Sequence, residues 1–201
     1  MLEGSKNIIM DIIDIIRTRH SIRKYQSKQI TREDLEKVIE AGLRAPNAGG
    51  RQGSIIIGVH SAELTEKLGK LNIAKFDRST LMGNYVSDEQ PSIIDDPNIK
   101  SGFYGAPSVC VIFGPEDFLY STADAFCCAE NMIIEAHSIG LASCIIARGE
   151  ETFSNPEGRK FLTDWEIPEG YIAHCFVLLG YIDGPEPSPK KIHDGRFKIV
   201  S

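Results

Sequence analysis

The chain lacks the marks of several large protein classes. Its longest near-continuous apolar run, Ile172 to Tyr181, falls well short of the ~20 residues that a membrane-spanning helix needs. No basic stretch followed by an unbroken apolar core stands near the N-terminus, so no secretory signal is expected. The cysteines (Cys110, Cys127, Cys128, Cys144 and Cys175) are odd in number and form no C-x-x-C pair. Each sits among apolar neighbours, which predicts buried, reduced thiols and a cytoplasmic protein. Adjacent Cys127 and Cys128 point in directions too different, on a helix, for an easy disulfide. Cationic excess is missing as well. The 22 Lys and Arg against 28 Asp and Glu leave a net charge of -6, so a general nucleic-acid binder is not expected and any basic cluster reads as a local ligand site.

Catalytic and nucleotide-binding motifs are also absent. There is no G-x-S-x-G elbow, and Ser21, flanked by arginines, has no indicated base. His20, His60, His137, His174 and His193 are scattered without H-x-x-x-H or H-E-x-x-H spacing, so no metal site is expected. His174, inside an apolar strand, and His137, near a helix end where the dipole favours it, read as structural. Neither G-x-x-x-x-G-K-[ST] nor G-x-G-x-x-G occurs, so any bound phosphate must be held by side chains.

With 42% hydrophobic and 25% charged residues, the 201-residue chain is expected to form one globular domain over 1–201, with an extended tail from about 183. Isoleucines 8, 9, 12, 13, 15 and 16 recur at helical spacing up to Arg17. Thr31 caps a second helix, which Pro46 stops after Leu43. A strand over Ile55 to Val59 leads to a helix over Ser61 to Leu71. Residues 72 to about 105 are irregular and polar. They are followed by a strand at Val109 to Phe113, a buried helix at Thr122 to Ser138 closed by Gly140, and a β-type run at Ala142 to Ala147. A polar helix at Pro156 to Leu162 precedes the central strand Ile172 to Tyr181. Asp183 to Pro189 reads as extended, and Phe197 to Val200 as a candidate edge strand. Without a regular βαβ rhythm, the fold class is α+β: a mixed, mainly antiparallel sheet flanked by helices.

Two segments carry chemistry. In Arg19-His20-Ser21-Ile22-Arg23-Lys24-Tyr25, an extended backbone puts Arg19, Ser21 and Arg23 on one face, two cationic forks with a hydroxyl between them. Such a face suits a dianionic phosphate, and an exposed basic loop is the plainer alternative. The loop Pro46-Asn47-Ala48-Gly49-Gly50-Arg51-Gln52-Gly53 has little side-chain bulk, so its backbone can approach a flat ligand; a simple helix-to-strand turn explains it equally well.

Taken in order, these pieces resemble the nitroreductase family of FMN-dependent oxidoreductases. The resemblance rests on R-H-S-I-R-K-Y, on A-P-N-A-G-G-R-Q and on Gly105-Ala106-Pro107. It continues in Gly140-Leu141-Ala142-Ser143-Cys144, Ile167-Pro168-Glu169-Gly170-Tyr171, Leu179-Gly180-Tyr181 and the Pro-rich basic tail. It implies that Arg19, His20 and Ser21 meet the phosphate and ribityl chain of FMN, with Arg23 near the pyrimidine edge of the ring. It implies that Pro46, Asn47 and Ala48 border the flavin of a partner subunit, and that Ile146, Ala147 and Arg148 present amides to its N5 and O4 edge. Lys191 and Arg196 match cations that reach the phosphate, with a solvated tail as the alternative. Gly50 and Gly53-Ser54 depart from the pattern, where the family often has Asn and Pro-Trp.

The implied activity passes hydride from NADH or NADPH through flavin N5 to a nitroaromatic, quinone or similar small acceptor by ping-pong kinetics, in an intertwined homodimer. No acid-base side chain is required. Dehalogenation, flavin fragmentation and a non-catalytic flavin-binding module remain open. Phe76, Tyr85, Phe103 and Tyr104 are candidates for stacking an aromatic substrate, or for core packing.

Overall fold

The computed structural model describes residues 11–77, 79, 86–188 and 191–200. Helix α1 (Ile12–Thr18) starts at Asp11, whose carboxylate caps the Ile13 amide. Of its isoleucines Ile15 is buried, whereas Ile12, Ile13 and Ile16 are exposed; Ile8 and Ile9 lie outside the described residues. Helix α2 (Arg32–Leu43) is capped by Thr31, which accepts the Asp34 amide while acids occupy the first turn. A short 3₁₀ turn, Ala48–Gly50, with Gly49 and Gly50 both at φ 64°, feeds β1 (Ile55–Val59). Ser61 caps α3 (Ala62–Ile73), which packs near β2 (Ser108–Pro115). The long α4 (Ser121–Ser138) ends at Gly140, whose φ of 80° allows the left-handed close. Then come β3 (Ala142–Ile146), α5 (Gly149–Phe153), α6 (Pro156–Asp164) and β4 (Tyr171–Gly180).

The strands lie in the order β1-β2-β4-β3, and every neighbouring pair is antiparallel. The only parallel pairing among the described residues is an isolated bridge, Ser21 to Ser143. Both faces of the sheet are covered, which explains why β4 reads as a continuous apolar run. On one side Cys110, Ile112, Val177 and Leu179 pack with α2 and α4. On the other, Val109, Val111, Phe113, Phe176 and Leu178 pack with α3, α5 and α6. The alternation survives a β-bulge: Ile112 pairs with Cys175 but Phe113 pairs with Ala173, leaving His174 as the extra residue. Helices α2 and α4 meet at Gly42, where a Cβ would stand 2.7 Å from the Met132 Cγ.

Two expectations need correction. Residues 197–200 form no strand; Phe197, Ile199 and Val200 are exposed, because no sheet edge within the protomer receives them. Helix α5 was not anticipated: five residues are too few for a periodic signal, and the turn that starts it depends on a left-handed Arg148 (φ 69°) that no glycine announces. The cysteines are free as expected, with burial pushing the Cys110 and Cys175 thiols up to about 12.

Candidate functional site

The segment after α1 is extended from Arg19 onward (φ -63°, ψ 134°). It is stitched to the sheet at both ends. The Ile22 amide donates to the Ser143 carbonyl (2.9 Å), the Gln26 amide to Tyr181 (2.9 Å), and the Asp183 amide to Lys24 (3.0 Å). Ile22 is 4% exposed, and Arg19, Ser21 and Arg23 are half-buried. The three gather round buried Cys144. Burial pushes its thiol up, and the Arg23 and Arg19 charges and a hydrogen bond with Ser21 pull the other way.

The two arginines nonetheless open into different spaces. Arg19 and His20 line a cavity of about 480 Å³ with Thr18, His137, Ser143 and Glu186. Its remaining wall is apolar and includes Ile22, Leu141, Ala142 and Pro187. His137, in the last turn of α4, shares a 2.8 Å hydrogen bond with the Thr18 hydroxyl. Burial holds it below the ordinary histidine range, Glu186 opposes that shift, and Arg19 and His20 reinforce it. Arg23 lines a separate cavity of about 410 Å³ with Lys24, Lys100 and Tyr104. Its backbone amide donates to the Gln90 side-chain oxygen (2.6 Å) and its guanidinium to the Gln90 carbonyl (3.2 Å). Gln90, 5% exposed, had no signal in the sequence, since the irregular stretch around it has no period to read. Behind this face the Tyr25 hydroxyl is buried without a partner among the described residues.

Ile146, Ala147 and Arg148 lie together at the C-terminal end of β3. The Ala147 carbonyl accepts from the Asn72 side chain at 3.2 Å. The Arg148 guanidinium sits over the Phe76 ring, 4.5 Å from its centroid. Pro46, Asn47 and Ala48 are elsewhere. The Ala48 amide is tied to the buried Asp124 carboxylate (2.9 Å), and the Asn47 side-chain oxygen accepts the Gln52 amide (2.8 Å). Beside this loop Arg51, Gly53 and Ser54 line a third cavity of about 400 Å³ with Phe118 and Tyr171, and no residue of it lines the Arg19 cavity. Lys191 and Arg196 are exposed on a tail that is exposed from 191 to 200. Among the described residues the tail meets the Arg19 cavity through Glu186 and Pro187, and the Ser188 hydroxyl donates to Glu89 at 3.0 Å. Phe103 is wholly buried against Phe176, hence core; Tyr104 is half-buried near Arg23; Tyr85 lies outside the described residues. Both ring nitrogens of His174 are engaged, by Ser121 (2.7 Å) and Thr122 (3.3 Å).

The model of the nitroreductase family matches residues 16–181, from α1 through the end of the sheet. The chain belongs to the nitroreductase family. A nitroreductase from Bacteroides fragilis, solved with bound FMN, superposes with a TM-score of 0.80 at 27% identity, over 96% of this chain and all of that one. Two archaeal relatives carry the provisional description NADH dehydrogenase/NAD(P)H nitroreductase. That of Archaeoglobus fulgidus is 26% identical over 85% of each chain. That of Methanothermobacter thermautotrophicus is 27% identical over 86% of this chain and 78% of its own. No helix among the described residues is long and apolar enough to cross a membrane.

Proposed function

We propose that this nitroreductase-family chain is a single-domain FMN-dependent NAD(P)H oxidoreductase acting on a small nitroaromatic, quinone or similar acceptor. The observation that carries the reading is the stitched segment. Backbone bonds to Ser143 and Tyr181 hold the segment that carries Arg19, Ser21 and Arg23 next to β3, whose last residue is Ile146 and which Ala147 and Arg148 follow in the chain.

These residues fit the cofactor. Arg19 lines a space of about 480 Å³, within the usual range for ligand sites, and offers a guanidinium fork for a phosphate while the apolar wall suits the rest of the molecule. His20 lines the same space. Glu186 is the one acidic residue that lines it among the described residues. FMN, when bound, would supply a two-electron carrier between NADH or NADPH and the acceptor. The chain's own tasks are positional. Arg19, His20 and Ser21 hold the phosphate end, and Arg23, clamped by Gln90, sets a positive charge at the ring. Ile146, Ala147 and Arg148 supply amides at the other edge. Pro46 to Ala48, which do not line the protomer's own Arg19 cavity, border the flavin of a second copy. Exposed Ile12, Ile16, Phe197 and Ile199, and the outlying Lys191 and Arg196, support the same homodimer. Donor and acceptor would use the same site in turn, for which ping-pong kinetics are expected.

The deciding measurement is the visible spectrum of the purified protein under anaerobic conditions. A flavin spectrum that bleaches on adding NADH or NADPH and returns with menadione is the expected result. A colourless protein that does not retain FMN, or a bound flavin that neither nucleotide reduces, overturns the reading.

A further inference from the structure

A guanidinium is permanently charged, and that of Arg23 forms no ion pair among the described residues. Its hold is neutral. Gln90 accepts twice, the Arg23 amide on its side-chain oxygen (2.6 Å) and the guanidinium on its carbonyl (3.2 Å). Gln90 is itself fixed by a loop closed on itself. The Asp95 carboxylate accepts the Val86 (2.8 Å) and Ser92 (2.7 Å) amides, and the Gln90 amide donates to the Ser87 hydroxyl (3.1 Å).

Neighbouring acids are committed elsewhere. Glu89, adjacent in the chain, accepts the Ser188 amide (3.1 Å) and hydroxyl (3.0 Å). Glu66 and Asp96 line the Arg23 cavity, but Glu66 pairs with Lys70 (3.5 Å) and Asp96 accepts the Asn98 amide (2.8 Å). The setting is also dry. Burial pushes the unpartnered Tyr25 hydroxyl well above the ordinary tyrosine value, with the Arg23 charge opposing that rise, and Gln90 is 5% exposed. A charge in such surroundings is poorly screened and acts further than one in water. That of Arg23 reaches Cys144 on β3, as does that of Arg19.

We propose that Gln90 is a positioning residue for the flavin's reduction potential: a neutral partner that fixes Arg23 while leaving its charge free to act on the ring. The inference deepens the function proposed above and rests on it. Reduction adds negative charge at the pyrimidine end of a flavin, so an uncompensated cation there binds the reduced form more tightly than the oxidised one. A carboxylate at position 90 would hold Arg23 as firmly and cancel its field, whereas the isosteric amide holds it and cancels nothing.

The test is the midpoint potential of bound FMN, measured anaerobically against a reference dye in the unmutated protein, Q90E, R23A and the R23A/Q90E double variant. Q90E is expected to weaken reduced relative to oxidised FMN about tenfold, or ~30 mV for a two-electron couple. Once Arg23 is gone, Q90E is expected to add less than about threefold, because it acts through the arginine. Q90M keeps the bulk but not the oxygen; it should move the potential in the same direction by a smaller factor, and it decides the matter if Q90E does not fold. An unmoved potential, even with a lowered Tm, overturns the inference, since a merely structural residue would behave so. An equal shift with and without Arg23 overturns it too, because the carboxylate then acts on the ring directly. Failure of the unmutated protein to hold FMN removes both proposals. FMN that is held and reduced by NADH or NADPH, with a potential that Q90E and Q90M leave unmoved, removes this one alone.

Discussion

The chain has two short basic segments that the sequence presents as equals, Arg19 to Tyr25 and Lys191 to Arg196, and the fold treats them in opposite ways. The first is fixed by three backbone hydrogen bonds to residues 143, 181 and 183 and by a buried Ile22. The second is exposed throughout, and none of its residues forms a hydrogen bond or ion pair among the described residues. The difference is one of anchoring. An arginine contributes preorganised binding only where its backbone has already lost its freedom, because otherwise ligand binding must bear that entropy. The first segment is therefore a site in a single chain, and the second becomes one only when something holds it.

The sharpest way to break this comparison is at Arg19. Arg19→Ala is expected to weaken FMN binding by about 1.5–3 kcal/mol, roughly 10–100-fold, while riboflavin binding changes little, since a charge-assisted phosphate contact is lost. Fluorescence titration of both flavins measures this, and equal losses for the two would remove the phosphate assignment. Anchoring itself is tested at Gly180, where a Cβ would stand 2.8 Å from both Tyr25 and Pro107. Gly180→Ala is expected to cost about 1–3 kcal/mol of stability by overpacking, lowering Tm by roughly 2–4 °C per kcal/mol, and to weaken FMN binding by pushing Tyr25 and its segment off the sheet. Normal FMN affinity in that variant would show that the anchoring is dispensable.

The tail predicts a smaller effect. Replacing both Lys191 and Arg196 by alanine is expected to weaken FMN binding less than tenfold and leave the Tm of the apoprotein unmoved. That loss should vanish near 1 M salt, where the screening length is about 3 Å. A loss as large as that of Arg19→Ala would mean that the tail is as well anchored as the first segment.

The smallest effect is with pH. Burial holds both His137 and His174 below the ordinary histidine value, so each favours its neutral form in the folded protein. A depressed folded value means that their contribution to stability is complete above the unfolded value of about 6.5 and is lost as pH falls through the lower folded value. His137 shares the Arg19 cavity and His174 does not. Bound FMN should therefore favour charged His137 and flatten its part of the acid-side loss, leaving that of His174. Thermal unfolding from about pH 5 to 8, with and without FMN, in His137→Asn and His174→Asn, measures the two contributions. An acid-side loss that FMN reduces equally in both variants would disconnect His137 from the phosphate.

Regular elements with strong local signals were readable from residues alone. The limits of β1 coincide with Ile55 and Val59, Thr31 and Ser61 cap the helices expected of them, and Gly140 closes α4. Capping and period are local physics, written within a few residues of where they act. The unread parts are those whose cause is remote. Helix α5 begins at a left-handed arginine, Gln90 is recruited by Arg23 from 67 residues away, and Asp124 holds Ala48 from 76 away. The candidate residues were legible as types, but their grouping was not: Arg19 and Arg23, expected on one face, line separate cavities.

The sequence by itself determined the two-sided burial of β4 and the burial of four of the five cysteines, because both follow from side-chain period or apolar context. Tertiary structure alone decided which basic residues are fixed, which loop stands apart from the Arg19 cavity, and that an arginine rather than a glycine turns the chain out of β3. Those outcomes depend on hydrogen bonds and close approaches between residues far apart in the chain, which no local pattern encodes.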